Sequence, residues 1–139
     1  MILGLGHIDL VCSDVERSVA FYRAVLSLGE PATFTGECGE TIYYLRFPVH
    51  GSGSLGLRPA LTQLDFELYA PGLHHVAFAV ESRADVDAIH AAAVEAGAEV
   101  LHAPRLWPEY AEDYYATFFL DPDGFRLEIA TARDARPGG

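Results

Sequence analysis

The chain has 139 residues, half of them apolar, with 20 acidic against 9 basic side chains and a formal charge of −11. Such a chain is long and apolar enough for one folded domain, residues 1–139, and carries no disorder signature. The acidity argues against nucleic acid, which is held by Lys and Arg, and the short apolar runs against a membrane span of roughly 20 residues.

In chain order, "HIDLVC" from His7 reads as a strand, with His7, Asp9 and Val11 on one face and Ile8, Leu10 and Cys12 on the other. Asp14, with Ser13 as a rival, caps a helix over about 15–26, whose Val15, Val19, Tyr22 and Leu26 form a buried stripe. Gly29 is the expected stop. Three more strands follow near 31–36, 41–47 and 54–58. "HGSGSLG" lacks the Lys and Ser/Thr of a phosphate loop and reads as a hairpin turn. A linker over 61–72 then leads into a second copy.

Sliding the sequence by 68 positions lays His7 on His75 and Gly29 on Gly97. "GLHHVAFAV" is the second first strand, Ser82 and Asp85 form a capping box, and a helix over about 83–96 repeats the stripe with Val86, Ile89 and Ala93. Strands near 98–102, 113–120 and 124–130 complete the copy. Each half is βαβββ: module one about 1–60, module two about 73–132. The fold class is α+β, with helices packed outside the sheets.

The alternation also selects residues. His75, Ala77 and Ala79 share the face away from the helix, His74 falls on the packing face, and "FRLEIA" turns Arg126, Glu128 and Ala130 the same way as His75. His7, His75 and Glu128 thus occupy equivalent faces. Taken singly, each is a hydrogen-bonded histidine or a solvated strand acid. Their agreement in register and face favours a site for one divalent metal, with Zn, Fe, Mn, Ni and Co all suited to imidazole and carboxylate.

"GHIDLVCSDVERSVAFYRAVLSL", "GLHHVAFAV" and "YYATFFLDPDGFRLEIA" together resemble the glyoxalase/bleomycin-resistance/dioxygenase group, the vicinal-oxygen-chelate superfamily, over nearly the whole chain. The resemblance implies paired βαβββ modules curled into an open cleft around a divalent metal. It places the ligands on His7, His75 and Glu128, with Leu57 near the fourth position, where no metal can bind. It also implies a homodimer, and leaves open whether His7 comes from the same chain or from a partner. Asp9 and Phe118 stand where fosfomycin-modifying relatives carry threonine and tyrosine, which argues against that activity. The missing fourth ligand argues against lactoylglutathione lyase activity.

Other roles are read around this set. Asp9, two residues from His7, is an auxiliary acid/base or a partner that orients a ligand. Of Tyr114 and Tyr115 one must face the helix, and Tyr115 is taken as the catalytic donor. Arg58 and Arg105 could each bind an anionic substrate group or serve only at the surface. Trp107 and Tyr110, on the irregular stretch 104–115, line the pocket or pack a dimer. Two cysteines, Cys12 and Cys38, and no export signal point to the cytoplasm. The expected function is a metal-dependent lyase, isomerase or ring-cleaving dioxygenase acting on a small vicinal-oxygen substrate. The rival is a non-catalytic small-molecule binder of the bleomycin-resistance kind.

Overall fold

The computed structural model describes residues 1–131, so the expected end of module two near 132 lies just outside. The chain forms two compact units, Met1–Leu64 and Asp65–Gly139, which meet within the expected linker. The fold is α+β, built of two βαβββ modules.

Module one comprises β1 (His7–Cys12), α1 (Val15–Leu26), β2 (Ala32–Thr35), β3 (Thr41–Arg46) and β4 (Ser54–Pro59). Its open sheet runs β1-β4-β3-β2. β1 and β4 pair in parallel, with His7 opposite Ser54 and Val11 opposite Arg58; the other pairs are antiparallel. Asp14 caps α1 by accepting the Arg17 amide at 3.1 Å. The buried stripe is Ser18, Val19, Phe21, Tyr22 and Val25, so it is turned slightly from the expected one, with Val15 and Leu26 at its margins. The helix packs on β1 and β4, whose Leu10, Cys12, Leu55 and Leu57 are buried.

α1 ends earlier than Gly29: Ser27 takes the left-handed conformation (φ 52°) and its amide bonds to the Arg23 carbonyl. A side chain at that φ costs about 1–2 kcal/mol, partly offset by the entropy a glycine would lose. Ser27→Gly is therefore expected to stabilise module one by roughly 0.5–1 kcal/mol in urea denaturation, without touching the site.

Module two comprises β5 (Val76–Ala79), α2 (Arg83–Glu95), β6 (Val100–Leu106), β7 (Tyr115–Leu120) and β8 (Arg126–Ala130). Its sheet, β5-β8-β7-β6, repeats the order of the first, again with one parallel pair, β5 with β8. Ser82 and Asp85 form the expected capping box, and Gly97 follows α2 at φ 80°. Leu127, Ile129, Phe119 and Thr117 are buried on the face that α2 covers with Val86 and Ala93.

Two strand boundaries differ from the sequence reading. β5 is shorter, so both histidines precede it. β6 is longer and extends to Leu106 through Pro104, with register shifts on either side of His102. A proline cannot donate to the ladder, so the strand continues only as an irregular edge.

Candidate functional site

The face of the second sheet opposite α2 is set by register: Phe118 lies opposite Glu128 and Ala116 opposite Ala130. Trp107, Ala116, Phe118 and Ala130 are buried there as one cluster, with Tyr114 and Leu101 against it. Glu128 sits in this apolar setting at 4% exposure. A buried carboxylate is tolerated only with partners, and Glu128 has two. The Tyr114 hydroxyl donates a short hydrogen bond to Oε1, and His75 Nε2 lies 3.2 Å from Oε2. Burial, and then the bond to Glu128, push the Tyr114 hydroxyl well above the usual phenol range, so it stays a donor.

His75 is exposed, and on its far side His75 Nδ1 lies 2.7 Å from His74 Nδ1. His74 itself rests edge-on against Tyr69, at 4.9 Å between ring centres. The expected placement of His74 on the packing face is thereby corrected. Strand alternation does not extend back to residue 74, and its ring is exposed beside His75.

In module one, His7 opens β1 and its ring meets Tyr44 edge-on at 5.5 Å. Tyr44 donates to Asp9 Oδ2 at 3.1 Å, and Arg58 Nε donates to the same oxygen at 2.7 Å. Arg58 Nη1 also lies 3.5 Å from Glu40 Oε1. The bond to Asp9, then that to Tyr44, holds the guanidinium pKa above its ordinary value. Asp9 Oδ1 is buried without a partner against Gly56, where an added Cβ would come within 2.0 Å of it. Gly56 is thus what makes room for this cluster. It stands within β4, so only the earlier part of "HGSGSLG" is the hairpin turn.

His75 and Glu128 are brought together; His7 is on the other module. Tyr115 is a correction: its hydroxyl donates to Asp87 of α2 at 2.8 Å, and Tyr114 is the tyrosine that reaches Glu128. Arg58 is corrected too, from a free anion binder to a cation already matched by Asp9 and Glu40. Trp107 is a buried member of the Phe118 cluster, its Nε1 donating to the Ala116 carbonyl at 3.1 Å. The exposed Tyr110 stacks on it at 5.9 Å, as does the Arg105 guanidinium at 3.3 Å. Tyr44, Glu40, Gly56 and Tyr114 were not singled out for these contacts. Their common signal, a place on or beside the face of a sheet that its own helix leaves uncovered, becomes usable only once strand pairing is known.

Within module two the donors number two, and among the described residues no group of three or more His, Cys, Asp or Glu gathers as a ready cage. The pair nevertheless fits a divalent metal: an imidazole nitrogen and a buried carboxylate oxygen converge, and each is held from behind by another side chain. Among the described residues no helix is long and apolar enough to cross a membrane.

Known proteins extend this picture. The metallothiol transferase FosB of Shouchella clausii (strain KSM-K16) is 30% identical over 132 residues, covering 94% of this chain and 82% of that protein. A glyoxylase/bleomycin resistance protein/dioxygenase domain from Frankia sp. EAN1pec superposes with a TM-score of 0.80 at 26% identity, covering 94% of this chain and 98% of that one. A mutant of the fosfomycin resistance protein FosX from Listeria monocytogenes, complexed with Mn(II) and 1S,2S-dihydroxypropylphosphonic acid, shares the fold at a TM-score of 0.69 and 20% identity, over 94% of each chain. The family model for the Glyoxalase/Bleomycin resistance protein/Dioxygenase superfamily matches residues 4–129, and the chain belongs to that superfamily.

Proposed function

We propose that this protein is a divalent-metal-dependent enzyme acting on a small molecule with two vicinal oxygens, by isomerase, lyase or ring-cleaving dioxygenase chemistry. The observation that carries the reading is buried Glu128, with one oxygen anchored by Tyr114 and the other turned toward His75 Nε2. The likeness to the metallothiol transferase FosB supports it and adds thiol transfer to the chemistries worth assaying. His75 and Glu128 would hold the metal, and His7 of module one, from the same chain or a second copy in a homodimer, would supply the third donor. When bound, a divalent cation would supply Lewis acidity toward two adjacent substrate oxygens.

The chain's own residues set the surroundings. Phe118, Trp107, Ala116 and Ala130 keep water from the carboxylate, which strengthens every charge interaction at the site. Asp9 acts through Tyr44, fixing the ring that lies against His7, with Oδ2 held by Tyr44 and Arg58 and Oδ1 buried against Gly56. Tyr110, exposed and in edge contact with Tyr114, would meet a substrate body. Cys12, buried, and Cys38, exposed, stand as thiols rather than as a disulfide, which suits a reducing cytoplasm.

Metal content of the purified, untagged protein tests the reading, with added Mn, Fe, Co, Ni and Zn titrated in turn. Near-stoichiometric uptake that is lost in His7→Ala supports the three-donor site, and the preferred ion selects the assays. A chain that refuses all five ions overturns the enzyme reading and puts the non-catalytic binder first.

A further inference from the structure

His75 has two ring nitrogens with different partners. Nε2 faces Glu128 at 3.2 Å, and Nδ1 faces His74 Nδ1 at 2.7 Å. A neutral imidazole carries one proton, so the role of one nitrogen fixes that of the other. Without a cation, Nε2 must carry the proton to approach the carboxylate, and Nδ1 is then an acceptor. With Nε2 given over to a cation, the proton must sit on Nδ1, which becomes a donor. A backbone carbonyl at that place could serve only the second state. The Nδ1 of a second histidine serves both.

We propose that His74 is the positioning residue for His75, accepting from its Nδ1 when Nε2 holds a metal and donating to it when Nε2 holds a proton. The inference rests on the metal reading above. The proton balance closes: the His75 Nε2 proton leaves to water, the His74 Nδ1 proton passes to His75 Nδ1, and His74 Nε2 takes one proton from solvent. Each ring ends the exchange with as many protons as it began. His74 is exposed, so exchange with water is open to it, and the edge contact with Tyr69 holds its ring in place.

Two substitutions separate this role from mere packing. His74→Phe keeps a ring for Tyr69 but offers no hydrogen bond. His74→Asn loses the ring but places an amide where Nδ1 stood, able to accept or donate by turning over. Titration calorimetry with Zn(II) and Mn(II) is expected to show His74→Phe weakened by about 10–100-fold, the usual cost of losing a partner behind a ligand, and His74→Asn close to wild type. A packing role predicts the reverse order. Either that reverse order or equal affinities in all three proteins overturns the proposal.

Imidazole 15N spectra supply the second readout. In wild type the His75 proton should sit on Nε2 without metal and on Nδ1 with Zn(II), and a coupling between the two Nδ1 nuclei should vanish in His74→Phe. If wild type takes up neither ion, the metal reading fails, and the metal-free spectra still decide the pairing. A metal-free wild type that shows no coupling between the His74 and His75 Nδ1 nuclei sinks it.

Discussion

Glu128→Ala is expected to abolish uptake of divalent metal while leaving a folded chain. The carboxylate contributes one of the two donors that module two brings together, so its loss should exceed the roughly 10–100-fold effect of removing an outer partner. Stability should respond differently. A buried carboxylate costs desolvation, which its removal relieves; against this, the Tyr114 hydroxyl loses its acceptor, at about 1–3 kcal/mol. The two changes oppose each other, and the unfolding midpoint without metal should move little. Glu128→Gln sharpens the comparison, since an amide oxygen can still accept from Tyr114 but carries no charge. Calorimetric titration beside thermal unfolding checks both. Metal affinity retained in folded Glu128→Ala would remove Glu128 from the site.

Gly56→Ala is expected to have the largest effect in module one. Its Cβ would stand 2.0 Å from Asp9 Oδ1 and 2.7 Å from Tyr44 Cε1, closer than any relaxed contact. Asp9 cannot swing away freely, because Oδ2 is held by Arg58 at 2.7 Å and Tyr44 at 3.1 Å. Overpacking of this kind costs about 1–3 kcal/mol, measurable as a lowered urea midpoint. The source of the cost is testable with a double variant. Asp9→Ala removes the clashing oxygen, so the pair of substitutions should be clearly less harmful than the sum of the two singles. Strict additivity would show that the strain lies elsewhere.

The repeat and the caps made much of the fold legible. Val15 and Arg83, which open the two helices, stand 68 apart, as do Ala32 and Val100, which open the next strands. β3 and β7 then open at Thr41 and Tyr115, 74 apart, because module two carries extra chain around Trp107. There the reading lost its grip. Phe118 and Phe119 make β7 bulky on both faces, so alternation alone could not say which tyrosine faced the helix. His74 went astray because alternation holds only inside a strand and β5 begins at Val76. Arg58 shows a different limit. That it meets Asp9 follows from the parallel pairing of β1 with β4, a long-range fact that no local pattern encodes.

That parallel pairing, repeated in module two, also governs when the donor pair can exist. His75 and Glu128 are 53 residues apart in the chain and meet because β8 closes against β5, across the helix and two strands between them. Such a distant contact forms late, after the local hairpin and helix, since the loop it closes is long. No partly folded chain lacking β8 can present both donors. An ion held by them would therefore act as a latch on the last strand, favouring the closed module by mass action. Slow opening of β8, and not diffusion of the ion alone, would then set how quickly the site can be stripped.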